Sequence, residues 1–183
     1  VSGPLKRLLH PDDRIPNSRD RYYLMKYDVA TGLSERLTYG SHNVYLNDIS
    51  PDGKKLLCST SKPDITRCPF SLSSLFEIDL APLQADTLVA WDAYLGSASY
   101  SPDGKQLLVT GSPSAFGGIG KNCGEHPIAN DFDTQAFIMD LATKKVQAIT
   151  RDFNPTVSPV QWNRVDGCIY FDTTDGDCRH IYR

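Results

Sequence analysis

The residues best equipped for chemistry gather in one stretch, "GSPSAFGGIGKNCGEHPIANDFD", residues 111–133. It holds two possible metal ligands, Cys123 and His126, and three carboxylates, Glu125, Asp131 and Asp133. Cys123 and His126 stand alone as a ligand pair, and a closed zinc site takes four protein ligands, so no metal is expected there. Gly117, Gly118 and Gly120 suggest a phosphate-binding loop. Such a loop needs a Lys-Ser/Thr step opening a helix, which does not follow, so no nucleotide cofactor is expected. What remains is a polar, glycine-rich segment whose Glu125, His126, Asp131 and Asp133 are the candidates to face a substrate.

Nucleophilic catalysis finds no footing in the sequence. The nearest approach to Gly-x-Ser-x-Gly is "GSASY", residues 96–100, which fails the pattern and lies in an all-β repeat without the strand-to-helix elbow that exposes the serine. The histidines, His10, His42, His126 and His180, fall in no nucleophile–base pattern. The carboxylate-rich "DTTDGD", residues 172–177, lacks the alternating ligands and terminal Glu of a calcium loop and reads as a hairpin tip. Five cysteines leave one odd; Cys58/Cys68 and Cys168/Cys178 each bracket a short stretch and are candidate local disulfides in an oxidising compartment.

The elements that carry these residues are set by a repeat. "ISPDGKKLLC" (49–58) returns as "YSPDGKQLLV" (100–109), with Asp52 and Asp103 51 positions apart. A second landmark keeps step: "YDVATGLSERLT" (27–38), "IDLAPLQADTLV" (78–89) and "MDLATKKVQAIT" (139–150) align without gaps. A third Asp-Gly follows at "VDG", residues 165–167. Two landmarks in fixed order make a structural repeat. Pro presets φ in the Pro-Asp-Gly turn and Gly takes its positive-φ position, so Asp52-Gly53, Asp103-Gly104 and Asp166-Gly167 are assigned to turns. Each carboxylate is expected to bind its own turn rather than a metal or substrate.

The runs between the turns are short and rich in β-branched and aromatic residues, with no helical period. In the first complete unit, strands are expected at 45–50, 55–59, 75–79 and 87–91. Four strands recurring about every 50 residues are the mark of a β-propeller blade. The predicted fold is all-β, a partial propeller with blade pieces at 22–38, 44–91, 94–150 and 157–183, and an N-terminal extension or edge strand at 1–21. Trp91 and Trp162 are expected to pack between blades. Closed propellers hold four to eight complete blades, so this chain, which has no initiator Met, is expected to be part of a larger one. Its open blade edges are expected to recruit further copies. Because 111–133 breaks the period, it is expected to project from the blade as a mobile functional loop.

A net charge of −3 without a basic run gives no case for nucleic acid, and no apolar run reaches the ~20 residues that span a bilayer.

The "SPDGKKLL" and "YSPDGKQLLV" blades, with residues 134–183 ending "FDTTDGDCRHIYR", resemble the propeller domain of bacterial prolyl oligopeptidase family peptidases, in the dipeptidyl and acylaminoacyl peptidase branches. Single "SPDG" blades also occur in propellers of the Tol translocation system and in oligogalacturonate lyases. The resemblance implies a serine peptidase whose Ser, Asp and His lie in an α/β-hydrolase domain, with the propeller limiting access to short peptides. None of those three residues maps onto this sequence. The dipeptidyl peptidases hold the substrate's amino terminus with adjacent glutamates; this chain has none, and Glu125 is the comparable acid. The alternative is a protein-binding propeller of the Tol type. The resemblance favours a periplasmic or secreted location.

Overall fold

The computed structural model describes residues 20–123 and 132–183. The extension expected at 1–21 therefore lies almost wholly outside the described residues, as do Glu125, His126 and Asp131.

Thirteen strands form four antiparallel sheets among the described residues. The first pairs β1 (Met25–Tyr27) with β2 (Ser34–Arg36). The second runs β3 (Val44–Ile49), β4 (Lys55–Pro63), β5 (Ser71–Asp79), β6 (Gln84–Asp92) in order. The third runs β7 (Leu95–Tyr100), β8 (Gln106–Gly111), β9 (Gln135–Asp140), β10 (Val146–Ala148). The fourth runs β11 (Val160–Trp162), β12 (Ile169–Asp175), β13 (Cys178–Tyr182). Each sheet is a meander of nearest neighbours, and the sheets stack face to face as propeller blades.

Stacking explains the doubled leucines of the repeat. Successive side chains of a strand point to opposite faces. Leu57 of β4 joins Leu75, Leu107, Val109, Phe137 and Met139 between the second and third blades. Its neighbours Leu56 and Cys58 point the other way, to Val44, Leu24 and Leu37. Likewise Leu108, between Leu107 and Val109, faces the fourth blade with Ala136, Val157 and Trp162. A central strand covered on both faces reads as an unbroken apolar run.

The second-blade strands are longer than expected. The β4–β5 ladder continues past Ser59↔Leu75 to Pro63↔Ser71, so the polar stretch 59–71 is mostly a hairpin overhanging the blade. Register also corrects the cysteine pairs. Cys178 lies opposite Asp175 at the hairpin tip, whereas Cys168 precedes the start of β12; seven strand residues at ~3.3 Å each separate their ends. Cys58 sits mid-strand opposite Phe76, and Cys68 lies beyond the Pro63↔Ser71 end of that ladder. A disulfide needs Cα atoms within about 7 Å, and all five thiols are free. Trp91 is corrected too: its ring lies at the surface, 6.1 Å from His42 and under the Lys62 ammonium at 4.0 Å.

The described start of the insertion, 112–123, does not stand off from its blade. Ser112, Ser114 and Ala115 are buried. The Phe116 amide donates to Asp92 Oδ2 (2.7 Å), and its ring meets Phe137 edge-on at 5.2 Å. A single turn, α1 (Ala115–Gly118), carries Phe116 at φ 54, which this packing holds in place. Residues 112–123 are thus a packed cap, and 124–131 of the expected projection lie outside the described residues.

Candidate ligand site at the insertion end

Because strands alternate in direction, the two ends of each blade carry different connections. At one end lie the Pro-Asp-Gly turns and the 80–83 and 141–145 turns. At the other lie the overhanging hairpin, the insertion and the links between blades.

At the first end the turn aspartates are engaged locally. Asp52 Oδ1 accepts from Ser50 Oγ (2.7 Å) and the Lys54 amide (3.1 Å); Asp103 does the same with Ser101 (2.7 Å) and Lys105 (3.1 Å). The serine hydroxyl first, then the amide, holds each carboxyl below the usual carboxylate range. Gly53 and Gly104 both take φ 70, open to glycine without strain. The third turn spans the same connection, with Asn163 N bonded to Cys168 O as Ser50 N is to Lys55 O, but its aspartate falls one position later. Asp166 accepts from Tyr170 Oη (2.6 Å) and the Cys168 amide (3.0 Å), and Gly167 has φ 68. A cleft of about 510 Å3 opens here between the second and third blades. Its Lys55 pairs with Glu77 (3.1 Å) and its Lys144 with Asp86 (3.2 Å). Tyr100 Oη donates to the other Glu77 oxygen (2.7 Å). Tyr100–Glu77 and Lys144–Asp86 join the third blade to the second, while Lys55–Glu77 lies within the second.

The hydroxyl of Ser97, in the "GSASY" stretch, shares a 2.9 Å hydrogen bond with Thr110 Oγ1 where the β7–β8 register slips. His180 packs on Tyr182. In the "DTTDGD" hairpin, Arg179 grips Asp172 across the β12–β13 pair.

The insertion end is built differently. Asp133 Oδ1 accepts from Thr156 Oγ1 (2.8 Å), Val157 N donates to Thr134 O (3.0 Å) and Arg151 Nε to Lys121 O (3.0 Å). These bonds stitch both ends of the insertion to the 149–159 link and leave a pocket of about 160 Å3 between them. Lys121, Cys123, Asp133, Gln135, Arg151 and Asp152 line it. Gln135 is 9% exposed, and its Oε1 is buried without a hydrogen-bond donor. A Cβ on Gly120 would lie 2.3 Å from that oxygen, so only glycine lets the chain close over it. Asp133 also borders a groove of about 250 Å3 toward the overhanging hairpin, with Pro69 and Phe132 on its walls. Of the four sequence candidates only Asp133 lies among the described residues. Gln135 and Arg151 carry no motif; strand pairing alone brings them together.

No family model matches the chain, and no curated protein matches it. Among solved structures, oligogalacturonate lyase from Vibrio parahaemolyticus superposes with a TM-score of 0.64 at 15% identity, over 88% of this chain and 44% of that one. TolB from Acinetobacter baumannii gives 0.59 at 20% identity, over 87% and 34%. A putative TolB from Agrobacterium tumefaciens gives 0.55 at 16% identity, over 79% and 43%. The chain thus spans less than half the length of each. Identities this low show a shared fold, and the fold is a run of β-propeller blades.

Proposed function

We propose that these blades are the non-catalytic propeller part of a serine peptidase of the prolyl oligopeptidase type. In this reading the insertion end limits the passage of short peptides to an α/β-hydrolase active site outside residues 1–183. The sequence resemblance brings the peptidase to this reading. The observation that supports a gate is the packed insertion: Phe116 pinned to Asp92 and Arg151 pinned to Lys121 make a stitched rim, and a stitched rim selects by size. The α/β-hydrolase domain and short peptides are the partners this reading requires, and no helix among the described residues is long and apolar enough to cross a membrane.

The test uses the intact protein with a fluorophosphonate probe and a ladder of peptides. Labelling of a serine outside 1–183, with longer peptides cleaved once the insertion is shortened, supports the gate. Labelling within 1–183, or an unchanged length limit, overturns it. A second reading, a protein-binding propeller of the Tol type, is favoured by the apolar side chains at the same end: Ile65, Phe70 and Trp91 are 67%, 64% and 36% exposed. Absence of labelling and hydrolysis would select it.

A further inference from the structure

We infer that the pocket between the insertion and the 149–154 link binds a small zwitterion of the free α-amino-acid class, with Gln135 and Asp133 taking the ammonium and Arg151 the carboxylate. This goes beyond peptide gating and stands or falls separately from it.

Three observations carry the inference. The first is Gln135: a buried carboxamide oxygen without a donor is destabilising. Gln135 lines the pocket, and a turn of its terminal carboxamide away from Gly120 would offer that oxygen to a ligand N–H. The second is Arg151. Its Nε is held by Lys121 O, which fixes the guanidinium plane, and its two terminal nitrogens have no partner among the described residues. That free edge matches a carboxylate bidentately. The third is charge. Lys121 and Arg151 stand against Asp133 and Asp152 on the same lining, two charges of each sign. A lone anion or cation gains no net charge attraction from such a lining, whereas a ligand carrying both charges can pair with both signs. Asp133 uses only Oδ1 on Thr156, so its other oxygen is available to an ammonium. The volume of about 160 Å3 sets the size; a cavity of ~150 Å3 accepts benzene, a six-heavy-atom ligand.

Cys123 lines the pocket and is half-buried, which provides a reporter. The 183-residue chain is treated with iodoacetamide while mass spectrometry follows each thiol, in the presence of each common L-amino acid, its N-acetyl derivative and its carboxamide. At least one amino acid should slow Cys123 labelling while leaving Cys178 unchanged. Each capped derivative should need about tenfold higher concentration, the equivalent of one lost charge-assisted contact. Arg151→Gln, on an exposed side chain, should weaken protection by a similar factor at unchanged melting temperature. Gln135→Met should do so too, but its burial makes Arg151→Gln the deciding variant. Protection by no amino acid, equal protection by capped derivatives, or equal protection in Arg151→Gln would each overturn the inference. Peptide gating is read on the intact protein with peptides, so the two failures are distinct.

Discussion

Replacing Tyr100 by Phe tests what joins the second and third blades. Tyr100 is 4% exposed, and its ring packs with Leu57, Leu75 and Phe137. Its hydroxyl donates to Glu77 Oε1 at 2.7 Å, while Lys55 Nζ reaches Glu77 Oε2 at 3.1 Å. Phe keeps the ring and removes one hydrogen bond to a charged acceptor, a loss of about 1.5–3 kcal/mol. The lysine is 44% exposed and still solvates the carboxylate from its other side, so the middle of that range, about 2 kcal/mol, is expected. For a chain of this length that lowers Tm by about 4–8 °C. Urea unfolding should show a lower midpoint at unchanged slope.

A double-mutant cycle with Glu77→Leu separates the bond from the burial. Glu77→Leu alone strands the tyrosine hydroxyl, whereas the double variant removes donor and acceptor together and is expected near the better single variant. Additive single effects, or a Tyr100→Phe loss below about 0.5 kcal/mol, would refute the interface role. The pH dependence gives a further check. Burial first, then the bond to Glu77, pushes the Tyr100 hydroxyl well above its ordinary value near 10. A raised folded-state pKa means stability is fully present below the unfolded value and falls as pH rises above about 10. Tyr100→Phe should lack that part of the alkaline loss.

Iodoacetamide should modify the exposed Cys68 and Cys178 in the folded chain and leave Cys58 untouched until unfolding, since burial pushes the Cys58 thiol up to about 12; early Cys58 labelling would contradict its place between the first and second blades. Ser50→Ala and Ser101→Ala should each lower stability by about 1–2 kcal/mol and by nearly equal amounts, because each hydroxyl donates to its turn aspartate and accepts the Lys55 or Gln106 amide in matching geometry. Chemical denaturation of the two variants measures this, and a clearly unequal pair would show that the turns are not equivalent.

The parts of the fold legible in the sequence are those fixed by one residue's own backbone or by the alternation of a strand. Gly53 and Gly104 adopt the positive φ that Pro-Asp-Gly demands, and Leu56-Leu57-Cys58 is an apolar run because both faces of β4 are covered. The overhanging hairpin was hidden because Ser61, Lys62 and Pro63 are ordinary loop residues; they are strand because Leu72 and its neighbours lie opposite them. The insertion misleads for a related reason. Its glycines suggest freedom, but Gly120 is there for lack of room: any side chain would strike the Gln135 oxygen. The small residues that make a loop look mobile also let it lie flat against a blade. The signal available in the sequence was Phe116 among those glycines, an aromatic anchor that a solvated loop has no use for.

The candidate site was less legible than the fold because its parts are tied by pairing, not spacing. Asp133 stands in the sequence as an acid in a long loop, but its geometry comes from Thr156, 23 residues on. Arg151 acquires a fixed plane only through the carbonyl of Lys121, 30 residues before it. Gln135 is one neutral polar residue at the start of a strand, and its missing donor is visible only once Gly120 has closed over it. A repeat protein makes this general. The period fixes the residues that every blade needs, and these have to bind their own turns, as Asp52 and Asp103 do. Residues free to recognise a ligand must then lie where the period is broken, and in this chain that place is the insertion end of the third blade.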